Sequence, residues 1–126
     1  MQRNTLRAAS FLVGLLIAIA IQTGFAQNTA KVVVGPFGTM TYSPSSITIF
    51  QGDTVEWTWQ SPAHSVTSGT GTPTGEFDSG LHNSPFTFTH TFSSAGSFPY
   101  YCVFHGTAMS GLVNVLAPSP TPRISM

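Results

Sequence analysis

The sequence predicts an all-β domain, a sandwich or barrel of short strands. Three observations predict it. Apolar residues alternate with polar ones over short runs, and clusters of Gly, Pro, Ser and Asn separate those runs. No segment sustains a 3.6-residue period. Ser and Thr together make up 32 of 126 residues and Phe another ten, whereas only 6% are charged. That composition suits pleated, half-buried surfaces better than helix faces.

The runs can be taken in order. Residues 31–34 carry Val32, Val33 and Val34 in succession. In 46–50, Ile47 and Ile49 alternate with polar neighbours, and Gly52-Asp53 then makes a turn. In 54–59, Val55, Trp57 and Trp59 share one face while Thr54, Glu56 and Thr58 share the other. The alternation is clearest in 86–92: Phe86, Phe88, His90 and Phe92 lie opposite Thr87, Thr89 and Thr91. Residues 98–103 and 112–116 complete the set. Residues 68–75, Ser-Gly-Thr-Gly-Thr-Pro-Thr-Gly, are small and polar and read as a mobile loop.

The two ends follow other patterns. Arg3 and Arg7 precede an apolar or small run over 11–21, and Gly24 and Ala26 stand at −3 and −1 of a cleavage site before Gln27. Residues 1–26 therefore read as a signal peptide helix outside the fold. The run is shorter than the roughly 20 apolar residues of a spanning helix. Cleaved export to the periplasm or extracellular space is expected, with no stable membrane insertion afterwards. The domain is then 27–116. Residues 117–126, with Pro118, Pro120 and Pro122, read as a disordered Pro-rich tail.

Charge narrows the function. After cleavage, Lys31 and Arg123 remain against Asp53, Glu56, Glu76 and Asp78. No run of Lys/Arg exists to replace phosphate counterions, so no nucleic-acid partner is expected. Coiled coils need Glu/Lys faces that are missing here. Export invites disulfides, yet Cys102 is the only cysteine. A lone thiol in an oxidising compartment is a liability unless buried or bound to a metal.

Cys102 opens the sequence Cys-Val-Phe-His-Gly-Thr-Ala-Met, which ends at Met109 and contains His105. His64 lies upstream in Ser-Pro-Ala-His-Ser-Val. A soft thiolate and thioether combined with imidazoles select copper, and two His, one Cys and a weak axial Met make the blue-copper set. The Cys-x-x-His spacing lets one tight loop aim both side chains at one ion. His64 must then come from a neighbouring loop at the same end. His82 reads as a loop residue, and His90 as a partly buried histidine on an apolar strand face.

With these pieces assembled, the chain resembles the cupredoxins, specifically the plastocyanin-like small blue copper proteins. The matching segments are Tyr42-Ser-Pro with Ile47-Thr-Ile, Gly52-Asp-Thr-Val-Glu-Trp57, His64-Ser-Val, Phe88-Thr-His-Thr-Phe92, and Gly96-Ser-Phe-Pro-Tyr-Tyr-Cys102 leading through His105 and Met109 to Val115. The resemblance covers 31–116. It implies a Greek-key β-sandwich and one copper ion in a type 1 site, with His64, Cys102 and His105 as equatorial ligands and Met109 as the axial one. It also implies single-electron shuttling between transient redox protein partners by a monomer that is not an enzyme. Tyr101 is either a second electron port, as in that family, or plain packing.

The chain departs from plastocyanin itself at several points. Ser65 follows the first ligand His in place of Asn, a residue that ties the two ligand loops together. Val103 and Phe104 replace a Ser-Pro pair. The His-to-Met gap is shorter by one, and acidic patches are missing. The potential and the photosynthetic partner are therefore not carried over. A copper-storage, delivery or sensing module would use the same four residues, but no Met- or His-rich tract accompanies them.

Overall fold

The computed structural model describes residues 26–118. The expected leader, 1–26, and the expected tail, 117–126, lie outside the described residues except for Ala26, Ala117 and Pro118. Nine strands follow one another: β1 (Thr29–Val34), β2 (Tyr42–Ser43), β3 (Ser46–Phe50), β4 (Thr54–Trp59), β5 (Thr67–Gly69), β6 (Pro73–Asp78), β7 (Thr87–Thr91), β8 (Gly96–Cys102) and β9 (Gly106–Leu116). A 3-10 turn at Pro36–Gly38 follows β1, and no α-helix occurs among the described residues.

The strands form two mixed sheets, ordered β2-β1-β4-β7 and β3-β9-β8-β5-β6. Each sheet contains one parallel pair, β1 with β4 and β3 with β9, so the chain crosses repeatedly between the sheets. The expected β-sandwich is what the chain forms. Alternation fixes which face points inward. Val55, Trp57 and Trp59 of β4 are buried, as are Val32 and Val34 of β1 and Val113 and Val115 of β9. Trp57 lies at the centre, with Phe77, Phe88 and Tyr100 rings 5.5–5.8 Å away. Tyr100 is pressed against Gly111, where a Cβ would stand 2.3 Å from its Cζ. Burial pushes the Tyr100 phenol up to about 12, against a smaller lowering from Trp57.

Residues 68–75 depart from the expected loop. They supply the end of β5, the turn and the start of β6. The polar composition hid this because Ser68 carries the local structure. Its buried hydroxyl accepts from Thr74 Oγ1 at 2.7 Å and from the backbone N–H groups of Glu76 and Phe77 at 3.1 Å each. Gly69, with φ 132°, meets the Thr72 carbonyl so closely that a Cβ would lie 2.0 Å from it, and only glycine fits this turn.

Asp53 fixes the end of the sandwich away from Cys102. Its carboxylate is buried and accepts from the N–H of Asn28 and of Phe50, both at 3.0 Å. One side chain thus joins the entry to β1 with the turn between β3 and β4. Removing the carboxylate leaves those donors without their partner. Asp53→Ala should lower stability by roughly 1.5–3 kcal/mol, the range for hydrogen bonds to a charged group. Urea unfolding of the metal-free protein checks this, and the donor atoms of His64, Cys102 and His105 should be undisturbed.

Candidate metal centre

The site is built at the end of the sandwich where β4 and β8 terminate. His64 sits in the segment after β4, and that segment is held from three sides. Trp59, the last residue of β4, donates its indole N–H to the His64 carbonyl at 2.9 Å. His64 and His82 exchange backbone hydrogen bonds at 2.9 and 3.1 Å. Ala63, at φ 64°, donates its N–H to Asn83 Oδ1 at 3.0 Å. His82 is itself fixed, with its ring stacked on Phe86 at 3.5 Å and its Nε2 2.7 Å from the Ser79 carbonyl. The sequence places His82 in a loop, as found, but conceals that its backbone pins the histidine upstream.

Cys102 ends β8 and is fully buried. The chain turns through Val103 and Phe104, presents His105, and re-enters the sheet at Gly106, whose φ of 66° closes the turn. Ser65 donates its backbone N–H to Cys102 Sγ at 3.4 Å, and His105 Nδ1 lies 3.5 Å from the same sulfur. The His64 and His105 rings are 5.0 Å apart. One donor atom each from His64, Cys102 and His105 fall within 4.8 Å of one another. That is close to the spread of three atoms on one ion, given metal–ligand bonds of about 2.0–2.3 Å. No other cluster of three or more His, Cys, Asp or Glu side chains converges in this way among the described residues.

The histidine nearest the core is ready to donate. His64 is 3% exposed, and its Nδ1 is buried without a hydrogen-bond partner. Burial first, then the neighbouring His105, holds its imidazole below the ordinary histidine value. A neutral imidazole with a free nitrogen is the form a metal requires. Soft sulfur, two imidazoles and an orphaned nitrogen together fit a type 1 copper ion.

Met109 lies on β9, almost fully buried in the apolar cluster that also contains Cys102. Its strand pairs with β8 directly beside the turn, with Tyr101 opposite Ser110. Tyr101 is 4% exposed, so of its two readings packing is the one its burial fits. His90 stands apart on β7, its ring 4.9 Å from Phe77 and 4.7 Å from Phe92. Burial lowers its pKa despite the opposing influence of Glu76.

Ser65 joins the two loops, as the Asn of plastocyanins is expected to do. Its buried hydroxyl accepts the Val103 N–H at 2.9 Å and lies 2.9 Å from Thr67 Oγ1. Thr67 in turn donates to Asp78 Oδ1 at 2.9 Å, so the Ser65 proton points to Thr67. The Ser65 carbonyl receives the Tyr42 hydroxyl. Burial, with Cys102 and Tyr100 adding to it, pushes the Tyr42 phenol above its ordinary value and keeps it a donor. The result is a polar chain from the turn after Cys102 to the edge of β6. Ser65→Ala removes the acceptor of the Val103 N–H and should cost about 0.5–1.5 kcal/mol, the net worth of a hydrogen bond whose donor water can still reach. Thermal melts of the metal-free variant check the loss, and faster amide exchange at Val103 locates it.

The sequence profile of the copper-binding proteins of the plastocyanin/azurin family matches residues 29–116. No curated protein sequence matches the chain. Among solved structures, a novel purple cupredoxin from Nitrosopumilus maritimus is 33% identical, with a TM-score of 0.61, covering 69% of this chain and 99% of its own. Oxidised plastocyanin from Dryopteris crassirhizoma is 28% identical at a TM-score of 0.56, covering 69% of this chain and all of its own. An oxidised mutant of amicyanin is 26% identical at 0.57, covering 68% and 80%. Profile, fold and convergent ligand atoms agree: the chain belongs to the plastocyanin/azurin family of copper-binding proteins.

Proposed function

We propose that the protein is an exported, mononuclear type 1 copper protein that passes single electrons between redox protein partners. The observation that carries this reading is the convergence of one atom each from His64, Cys102 and His105 on a point inside a β-framework. His64 and His105 would hold the ion through nitrogen and Cys102 through its thiolate, and Met109 would offer its thioether as a fourth, weaker donor. Bound copper supplies a one-electron Cu(II)/Cu(I) couple. The protein's part is to keep the ligand positions nearly unchanged in both states. The hydrogen bonds from Trp59, His82 and Asn83 on one loop, and from Ser65 on the other, serve that purpose. The Ser65 N–H on the cysteine sulfur further tempers its charge.

Partners approach over an apolar, uncharged surface. Val103 and Phe104 flank His105 and are exposed, and the Phe104 ring stands edge-on to His105 at 4.8 Å. Phe37 and Leu81 protrude from segments touching the same loops, since Gly35 lies against the His64 ring and His82 pairs with His64. Docking of this kind is transient and little affected by salt. The protein acts as a monomeric carrier rather than an enzyme. A single buried Met without a Met- or His-rich tract favours a carrier over copper storage or delivery.

Two tests bear on the ligands. Cys102→Ser replaces a soft anion with a hard neutral hydroxyl, so the copper adduct should lose its blue charge-transfer band; a variant that stays blue would overturn the assignment. For Met109, Gln offers a harder oxygen and should lower the reduction potential, while Leu removes the donor and should raise it. A tenfold change in relative Cu(II) and Cu(I) affinity is about 59 mV in a one-electron couple, which voltammetry resolves. If both variants keep the parent potential, Met109 is packing only, and the axial group lies elsewhere, such as a backbone carbonyl near Ala63.

A further inference from the structure

We propose that Ser61 is a positioning residue that selects the tautomer of His64 and, through it, tunes the copper couple. The argument is an accounting of protons. The Ser61 hydroxyl has one hydrogen to give. It lies 2.8 Å from the Gly35 carbonyl, which can only accept, so the hydrogen goes there. The same Oγ lies 3.0 Å from His64 Nε2 and must act as acceptor in that contact. Nε2 therefore carries the proton of the neutral ring. Nδ1 keeps its lone pair. Nδ1 is also the atom that is buried without a partner.

The surroundings are built for this contact. Gly35 adopts φ 65°, and a Cβ there would stand 2.0 Å from Ser61 Oγ and 2.6 Å from His64 Nε2. Only glycine lets its carbonyl and the imidazole close on one hydroxyl. Ser61 is itself buried, and it precedes His64 by three residues on the same segment. The chain His64 Nε2–H to Ser61 Oγ–H to Gly35 carbonyl thus ties the ligand ring to the end of β1, a separate strand. A hydrogen bond at the far nitrogen raises the basicity of the ligating one. The harder Cu(II) gains more from this than Cu(I), so Ser61 lowers the reduction potential as well as orienting the ring.

The copper part rests on the proposed role of His64 as a ligand, while the tautomer part does not. The test begins with 15N-resolved NMR of the metal-free parent protein at a pH where His64 is neutral. A single Nε2–H tautomer is expected, and an Nδ1–H tautomer would overturn the proposal without any variant. Ser61→Ala should then mix the two tautomers, lower Cu(II) affinity by about 10–100-fold and raise the potential. Ser61→Thr, which keeps the hydroxyl, should restore the tautomer and the potential. A folded Ser61→Ala protein with parental tautomer, affinity and potential would also overturn it. If the parent forms no copper adduct, the electron-carrier reading falls, and the tautomer still decides the role of Ser61.

Discussion

One buried hydroxyl, that of Ser65, connects the loop bearing His64 to the turn bearing Cys102 and His105. Other groups converge on the same residue. Tyr42 reaches across from β2 to the Ser65 carbonyl, and Thr67 accepts the Ser65 hydroxyl while donating its own to Asp78 on β6. The backbone N–H of the same residue meets the Cys102 sulfur. A single residue therefore fixes the separation of two loops that approach from different sheets. The short side chain succeeds because Thr67 stands beside it to accept its hydroxyl hydrogen bond, leaving the Ser65 oxygen turned to the Val103 N–H.

The β-framework makes such a contact durable. Trp57 and its ring of aromatics fill the centre of the sandwich, and Asp53 closes the end away from Cys102. Ligands that hang from the ends of strands inherit the stiffness of those strands. For a copper ion that alternates between two oxidation states, stiffness means little rearrangement with each electron. In the proposed carrier role, the same geometry decides where electrons would leave. With Tyr101 packed away, the half-buried His105 and its apolar, uncharged neighbours offer the accessible edge of the centre.

Most of the fold was legible because its strands alternate strictly. Residues 54–59 and 86–92 announce their buried faces in the order of their side chains, and β4 has the expected bounds. Residues 68–75 read as a loop because their structure depends on hydrogen bonds to Ser68, not on apolar periodicity. At the site, residue type and spacing identified the metal-binding group. They could not reveal Ser61, Gly35, Trp59, His82 or Asn83. The contributions of these residues are backbone bonds and close approaches between segments far apart in sequence, which leave no local pattern. A glycine followed by proline at 35–36 reads as an ordinary turn until His64 is seen against it.

The most direct measurement of the central claim is a titration of the purified domain with Cu(II), followed in the visible spectrum and by electron paramagnetic resonance. A preformed site of two imidazoles and one thiolate should take up one equivalent. An intense visible thiolate-to-copper band and the narrow hyperfine pattern of a type 1 centre should follow. Ascorbate should bleach the band and a mild oxidant restore it over repeated cycles. A pale adduct with an ordinary tetragonal Cu(II) signal, or a thiol consumed by oxidation on the first addition of copper, would contradict the account.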